Sequence, residues 1–313
     1  MTKVAFQGEA GAYSEEAIHQ YFGPDVETIP CRTLEDMFPE VEEGRADYAI
    51  LPVENAVAGS VAGAYELLVQ RDLRINAEVI LHVQHMLMAV PGVKRDDIKR
   101  VRSHPQALAQ CRRYLNRYGL KPEPSFDTAG SARQLAENPE LDVAVIASRL
   151  AAELYDLEII DRGIEDFPFN YTRFFILGME DPPRAQRTKT SIVFSTRHRP
   201  GALYKCMGEF AARGINLTKI ESRPRLNQPW RYMFYLDFEG HCQDIEAEAA
   251  LMGLLRHASF VKLLGSYPAA TTPVPEGTMF WDGVGDLDLG AAGRDLGDNG
   301  GTGDAITDEE RRK

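Results

Sequence analysis

The residues able to do chemistry gather in a few short stretches. Thr172 and Arg173 stand side by side after the aromatic-rich turn Phe167-Pro168-Phe169-Asn170-Tyr171 and lead into the apolar run Phe174 to Met179. A hydroxyl beside a permanently charged guanidinium, held among rings, suits a site that grips an anion and hydrogen-bonds an oxygen next to it. An alcohol does not surrender its proton outright near neutral pH, so Thr172 is read as a hydrogen-bond donor or relay. Glu54 and Asn55 follow the end of a strand-like run and precede Gly59-Ser60. Ser103, Gln106 and Gln110 fall at i, i+3 and i+7, so the cap of a helix with Pro105 in its first turn shares a face with both amides. Gly8, Gly11 and Ser14 lie between a strand and a helix, a geometry that presents backbone N–H groups to an anion. Ser131 belongs to another strand-to-helix turn, Phe126 to Ala132.

Other chemistries are disfavoured. Cys31, Cys111, Cys206 and Cys242 lie far apart with no CxxC pair, and His82 and His85 would face opposite sides of a strand, so no metal-ligand set is read. A net charge of −12 disfavours nucleic acid as a partner. The longest apolar runs fall far short of the ~20 residues that a bilayer span needs. A composition of 44% hydrophobic and 26% charged residues is that of a soluble globular protein. Met1-Thr2-Lys3 leads directly into a strand with no secretory pattern, so a cytoplasmic location is expected.

The elements that carry these residues alternate. Strands at Lys3 to Gln7, Glu27 to Cys31 and Tyr48 to Val53 are interleaved with helices at Ser14 to Phe22, Leu34 to Glu43 and Val61 to Gln70, which predicts a mainly parallel sheet with helices on its faces. Ligands of such sheets bind at the carboxyl ends of the strands. From Ile75 to Val90 a long alternating stretch leaves the first lobe for a second, with a helix at Ala107 to Tyr118, a helix at Ala132 to Glu137, a strand at Val143 to Ile146 and a helix at Arg149 to Tyr155. Residues Ile159 to Asn170 return to the first lobe and bring Thr172 to the crossing, facing the cleft. After a polar linker with a double proline, strands at Thr190 to Ser195, Leu217 to Ser222, Tyr232 to Phe238 and Phe260 to Leu264 alternate with helices at Ala202 to Ala212 and Ile245 to Leu255, the ferredoxin-like βαββαβ order. The stretch from Ala269 onward is rich in glycine and acids, and disorder is expected there.

Together these motifs resemble a known family. GxxGxYS at Gly8 to Ser14, ENxxxGS at Glu54 to Ser60, SHPQxxxQC at Ser103 to Cys111 and Asn170-Tyr171-Thr172-Arg173-Phe174 occur in the order and spacing of the prephenate dehydratases, over about residues 1–180. The resemblance implies an α/β catalytic domain with two lobes like the type II periplasmic binding proteins, lobe one at about 1–78 and 171–180 and lobe two at about 79–170. It implies conversion of prephenate to phenylpyruvate, water and carbon dioxide, with Thr172, Asn55, Gln110 and Ser103 catalytic and Arg173, Glu54, Ser14, Ser60, Ser131 and Phe174 binding substrate. Aromatisation drives that reaction, so neither cofactor nor metal is required. Ala56 departs from the family pattern, in which Ser often follows the Glu-Asn pair.

Beyond the linker at 181–189, Gly201-Ala202-Leu203 and Glu221-Ser222-Arg223-Pro224, with Asn216 and Leu217 between them, resemble the phenylalanine-binding motifs of ACT regulatory domains. A regulatory unit at 190–268, phenylalanine as allosteric ligand, and a homodimer or homotetramer follow from that likeness. Arogenate dehydratase, the same chemistry on the aminated side chain, and a non-catalytic amino-acid sensor are the alternatives.

Overall fold

Residues 1–225 and 228–270 are described by the computed structural model, so the expected disordered tail lies, from residue 271, outside the described residues. Three sheets organise the chain. In chain order the first carries β1 (Lys3–Gln7), β2 (Glu27–Cys31), β3 (Tyr48–Asn55), the short β4 (Gly59–Ser60) and β5 (Arg74–His82). The second carries β6 (Met86–Ala89), β7 (Arg100–Ser103), β8 (Lys121–Pro124), β9 (Val143–Ala147) and β10 (Glu158–Arg162), after which β11 (Tyr171–Gly178) returns to the first. β12 (Thr188–Thr196), β13 (Leu217–Arg225), β14 (Gln228–Glu239) and β15 (Ala258–Pro268) form the third. The helices are α1 (Tyr13–Phe22), α2 (Met37–Glu42), α3 (Ala64–Gln70), α4 (Pro105–Gln110), α5 (Arg112–Arg117), α6 (Thr128–Glu137), α7 (Arg149–Leu154), α8 (Ala202–Ala211) and α9 (Ile245–His257).

The first sheet runs β2-β1-β3-β11-β5, with β1 parallel to β2 and β3 and with β11 antiparallel to both neighbours. Val4, Ala5 and Phe6 are all inaccessible, as expected of a parallel strand covered on both faces. Alternation then sorts side chains to two layers. Phe174 and Ile176 pack with Val4, Phe6 and Ile50 under α1. Phe175 and Leu177 pack on the other side with Ala5 and Leu51, and that layer continues into Val193, Tyr235, Leu264 and Tyr267 of the third sheet. Burying each such large apolar side chain contributes about 1.5–3 kcal/mol, so the C-terminal sheet is held by the same core as the first lobe. Gly265 of β15 lies so close to β5 that an added Cβ would sit 2.6 Å from the Ile75 carbonyl oxygen.

The second sheet has the order β10-β6-β9-β7-β8, and the third β13-β14-β12-β15 is antiparallel throughout, the ferredoxin-like arrangement. Several boundaries move. β5 stays in the first sheet to His82, so the crossing between lobes falls at 83–85 rather than after residue 78, and β12 starts at Thr188, inside the expected linker. The helix expected from Leu34 starts at Met37 because Thr33 and Asp36 bond each other's backbone N–H and hold the preceding turn. The single helix expected at Ala107 to Tyr118 is broken at Cys111. There Asp166 inserts: its N–H donates to the Gln110 carbonyl at 2.6 Å, and its carboxylate accepts from Arg113 N at 3.0 Å. The inserted loop satisfies backbone groups that a continuous helix would have paired internally.

Candidate active site

A cleft of about 380 Å³ is lined by both lobes. Pro52, Asn55, Thr172 and Phe174 come from the first sheet, Tyr13 and Ser14 from the first turn of α1, Gln106 and Gln110 from α4, and Asp127 and Thr128 from the start of α6. A cleft of that size suits a small organic molecule. A larger cavity of about 670 Å³, lined by α1 residues, Arg149, Glu153 and Arg162, carries none of the sequence motifs.

The catalytic strands place their side chains by a bulge. Thr172 pairs with Asn55 and Arg173 with Glu54, but Phe174 then pairs with Pro52, so Val53 is the extra residue on β3. Strict alternation from Pro52 would have sent Glu54 into the cleft and Asn55 away from it. The bulge reverses this. Asn55 enters the cleft, while Glu54 turns to the opposite side, 2.9 Å from Lys219 Nζ.

The amides in the cleft form a closed network. Asn55 Oδ1 accepts from Val57 N at 3.1 Å and Ala58 N at 2.8 Å, which fixes the amide so that Nδ2 donates to Asn170 Oδ1 at 2.7 Å and Thr172 Oγ1 at 2.9 Å. Gln110 Oε1 accepts from Asn170 Nδ2 at 3.2 Å and from His85 Nε2 at 2.8 Å. The other ring nitrogen of His85 therefore accepts from Tyr13 Oη at 2.6 Å. Burial holds His85 below the ordinary imidazole value, against the smaller opposing pulls of Gln110 and Glu165, so the ring is neutral. Burial also raises Tyr13 well above the ordinary phenol value, which keeps it protonated as the donor. Among the described residues the Thr172 hydroxyl accepts from Asn55 and donates to no protein group, so its proton points at whatever fills the cleft. Each neutral bond nets about 1 kcal/mol, whereas an unmatched buried partner costs about 1–3 kcal/mol, so the set orients itself as a unit.

Other residues singled out from sequence lie elsewhere. Arg173 faces away from the cleft: Nε meets Glu78 Oε1 at 2.5 Å, Nη1 meets Asp237 Oδ2 at 2.6 Å, and Nη2 donates to Tyr267 Oη at 3.2 Å. Consecutive strand residues take opposite faces, so Thr172 and Arg173 cannot both touch one ligand. Ser103 is buried and donates to the Ile146 carbonyl at 2.6 Å, tying β7 to β9. Ser131 is buried inside α6 and donates to the Asp127 carbonyl. Ser60 lies in β4, not at a helix start, and donates to Glu221 Oε2 at 2.5 Å. Gly11 N is occupied by the Glu15 carboxylate at 2.6 Å, and an added Cβ at Gly11 would come 2.8 Å from Ala151 Cα. The glycine thus allows close approach between lobes instead of offering a free N–H. Ser14 and Phe174 do line the cleft.

Of the C-terminal motif, Gly201 with a φ of +73° caps α8, whose first residues are Ala202 and Leu203, and Leu217 opens β13 after Asn216. Glu221, on β13 with Ser222, Arg223 and Pro224, also contacts Lys219 and Arg223, and these bonds outweigh its burial and keep its carboxyl below the usual range. Sequence reading missed Tyr13, His85 and Asn170 as partners in the cleft. Pro52 inside a strand was the one signal available for the bulge. No helix among the described residues is long and apolar enough to cross a membrane, and no group of three or more His, Cys, Asp or Glu there is placed to hold a metal.

Comparison with known proteins agrees with this arrangement. The prephenate dehydratase family model matches residues 4–182. Arogenate dehydratase/prephenate dehydratase 1, chloroplastic, of Arabidopsis thaliana is 45% identical over 282 residues, 85% of this chain and 72% of that protein. Among solved structures, the Arthrobacter aurescens prephenate dehydratase in complex with L-Phe aligns with a TM-score of 0.78 and 34% identity over 87% of this chain and 93% of that one. A protein described as GqqA, a novel type of quorum quenching acylase, aligns with a TM-score of 0.80 and 38% identity over 86% and 98%. The expectation of a cytoplasmic location is contradicted by the similar Arabidopsis enzymes, which are named as chloroplastic. Since the family match covers the whole stretch that builds the cleft, the chain belongs to the prephenate dehydratase family.

Proposed function

We propose that the chain converts prephenate to phenylpyruvate, water and carbon dioxide, with the Thr172 hydroxyl donating to the leaving ring oxygen. The C–CO₂ bond breaks, its electron pair enters the ring, and the opposite C–O bond breaks; a proton from water turns the departing hydroxide into water. The observation that carries this reading is the one-sided bonding of Thr172, whose oxygen is held by Asn55 and whose proton is free for the cleft. Among the described residues the lining includes neither Lys nor Arg. A carboxylate left without a cation is easier to decarboxylate than one in an ion pair, so this absence favours the step. The first turn of α1, where Tyr13 and Ser14 line the cleft and no side chain caps the helix, supplies a positive helix end for the carboxylate that stays, whereas the α6 N-terminus already carries the Asp127 carboxylate.

An acylase would need an activated nucleophile. Both nitrogens of His85 are committed to Tyr13 and Gln110, and no described base accepts from Thr172, so donation rather than attack is favoured. The residues at 190–268 act in this reading as an ACT regulatory domain that binds phenylalanine, in a dimer or tetramer; the named complex with L-Phe supports the ligand. Arogenate is the second substrate, since curated relatives are named for both activities.

Mixing the protein with prephenate and following phenylpyruvate absorbance tests the reaction, and competition with arogenate ranks the two substrates. Turnover of either is expected; none with both would end the proposal. Labelled phenylalanine is expected to bind and to change the rate, and binding without a rate change would remove the regulatory part.

A further inference from the structure

We infer that Arg173 is a positioning residue, which sets the Thr172 hydroxyl by clamping β11 to the C-terminal sheet. This rests on the reaction proposed above. The two residues are consecutive on one strand. One faces the cleft, and the other is gripped from two sheets: Glu78 on β5 belongs to the first, Asp237 on β14 and Tyr267 on β15 to the third.

The partners are themselves fixed. Asp237 Oδ1 accepts from Ser191 Oγ at 2.5 Å, Ser191 meets Tyr267 Oη at 2.6 Å, and Glu78 takes Lys189 Nζ at 3.1 Å. The guanidinium lies over the Phe175 ring at 4.7 Å. Burial alone would lower the Arg173 pKa, but Asp237, Tyr267 and Glu78 outweigh it, so the charge is secure.

Glu78 is shared between Arg173 and Lys189, so Asp237 supplies the second anion that the two cations need. Beyond charge, Asp237 adds direction. It ties the guanidinium to the central part of a different sheet, so a displacement of that sheet must pull on Arg173. The bulge is on β3, whereas β11 keeps an unbroken register with β5 from Tyr171 to Ile176, so Thr172 and Arg173 are held as one segment of the strand. Movement at the clamp is thereby delivered to the residue beside it.

Asp237→Asn tests this, because the near-isosteric amide keeps an acceptor for Ser191 and leaves Arg173 paired with Glu78. The expected result is a fall in kcat of about tenfold with KM for prephenate within about twofold. In a Thr172→Ala background the same change should alter the residual rate by less than about twofold, since there is no hydroxyl left to misplace. Equal losses in both backgrounds would overturn the inference. A readout independent of turnover is the Thr172 methyl resonance in threonine-labelled protein, assigned by its loss in Thr172→Ala. It should move in Asp237→Asn, and an unmoved resonance in a folded variant would overturn the clamp. Wild-type protein without turnover would instead sink the proposed reaction and leave the resonance to judge the clamp. If Asp237→Asn does not fold, Tyr267→Phe, which removes one hydroxyl, should give the same pattern at about threefold.

Discussion

The two faces of β11 are built from opposite chemistry. On the cleft face, Thr172 meets the neutral Asn55 amide, which is linked through Asn170 and Gln110 to a neutral imidazole and a protonated phenol, and among the described residues no lining residue carries a permanent positive charge. On the other face, Arg173, Glu78, Asp237 and Lys189 form a dense set of charges with every member paired. A reaction that expels a carboxylate as neutral carbon dioxide gains nothing from a cation that holds that carboxylate. Charge is used instead where geometry must be fixed between sheets. A motif written Thr-Arg-Phe in one line of sequence is therefore divided between two tasks.

The largest effect should come from the neutral face. Thr172→Ala is expected to lower kcat by about 10²–10⁴-fold, and Thr172→Ser to retain much of the rate because the donor survives. Steady-state turnover of the three proteins checks this, and similar rates in all would erase the distinction between faces. Next comes the charged face. Glu78→Gln leaves two partly buried cations short of one anion and should cost about 3 kcal/mol of stability, read by denaturant unfolding.

A smaller effect concerns pH. His85 is held below the ordinary imidazole value of 6.5 by burial, so the unfolded chain binds the proton more readily than the folded one. Its contribution to stability is present above that ordinary value and is lost as pH falls through 6.5 toward the folded value. Melting curves across that interval should show the wild type losing stability, with a shallower slope in His85→Asn. The smallest effect is expected at Glu54. Its carboxylate faces Lys219 and is partly exposed, so Glu54→Gln should leave KM for prephenate within about twofold and change stability by about 1 kcal/mol at most. A large rise in KM would return Glu54 to the cleft and contradict the bulge.

Much of the fold could be read from the sequence because its signals are local. The alternation of strand and helix from Lys3 to Gln70, the second lobe and the βαββαβ order all rest on periodicity and turns, and the observed elements follow, although the first sheet is mixed rather than mainly parallel because β11 returns antiparallel between β3 and β5. Thr172, Asn55 and Gln110 were legible as polar residues in motifs, and they meet in the cleft. What escaped was non-local. Nothing near Arg173 in sequence announces Asp237, and nothing near His85 announces Tyr13. The face of Glu54 was misread because one inserted residue, Val53, inverts the count, and an argument from motif order treats neighbours as if they pointed the same way. Ser103 and Ser131 show the same limit, since a hydroxyl at a turn can serve a ligand or a carbonyl, and here each serves a carbonyl.

The central claim is that the Thr172 hydroxyl acts in the bond-breaking step and not in holding substrate. Prephenate affinity and single-turnover rate measured side by side in Thr172→Ala test it most directly. The account predicts a dissociation constant within about threefold of the wild type and a rate at least about 100-fold slower. An affinity loss that matches the rate loss, or a rate that does not fall, would contradict it.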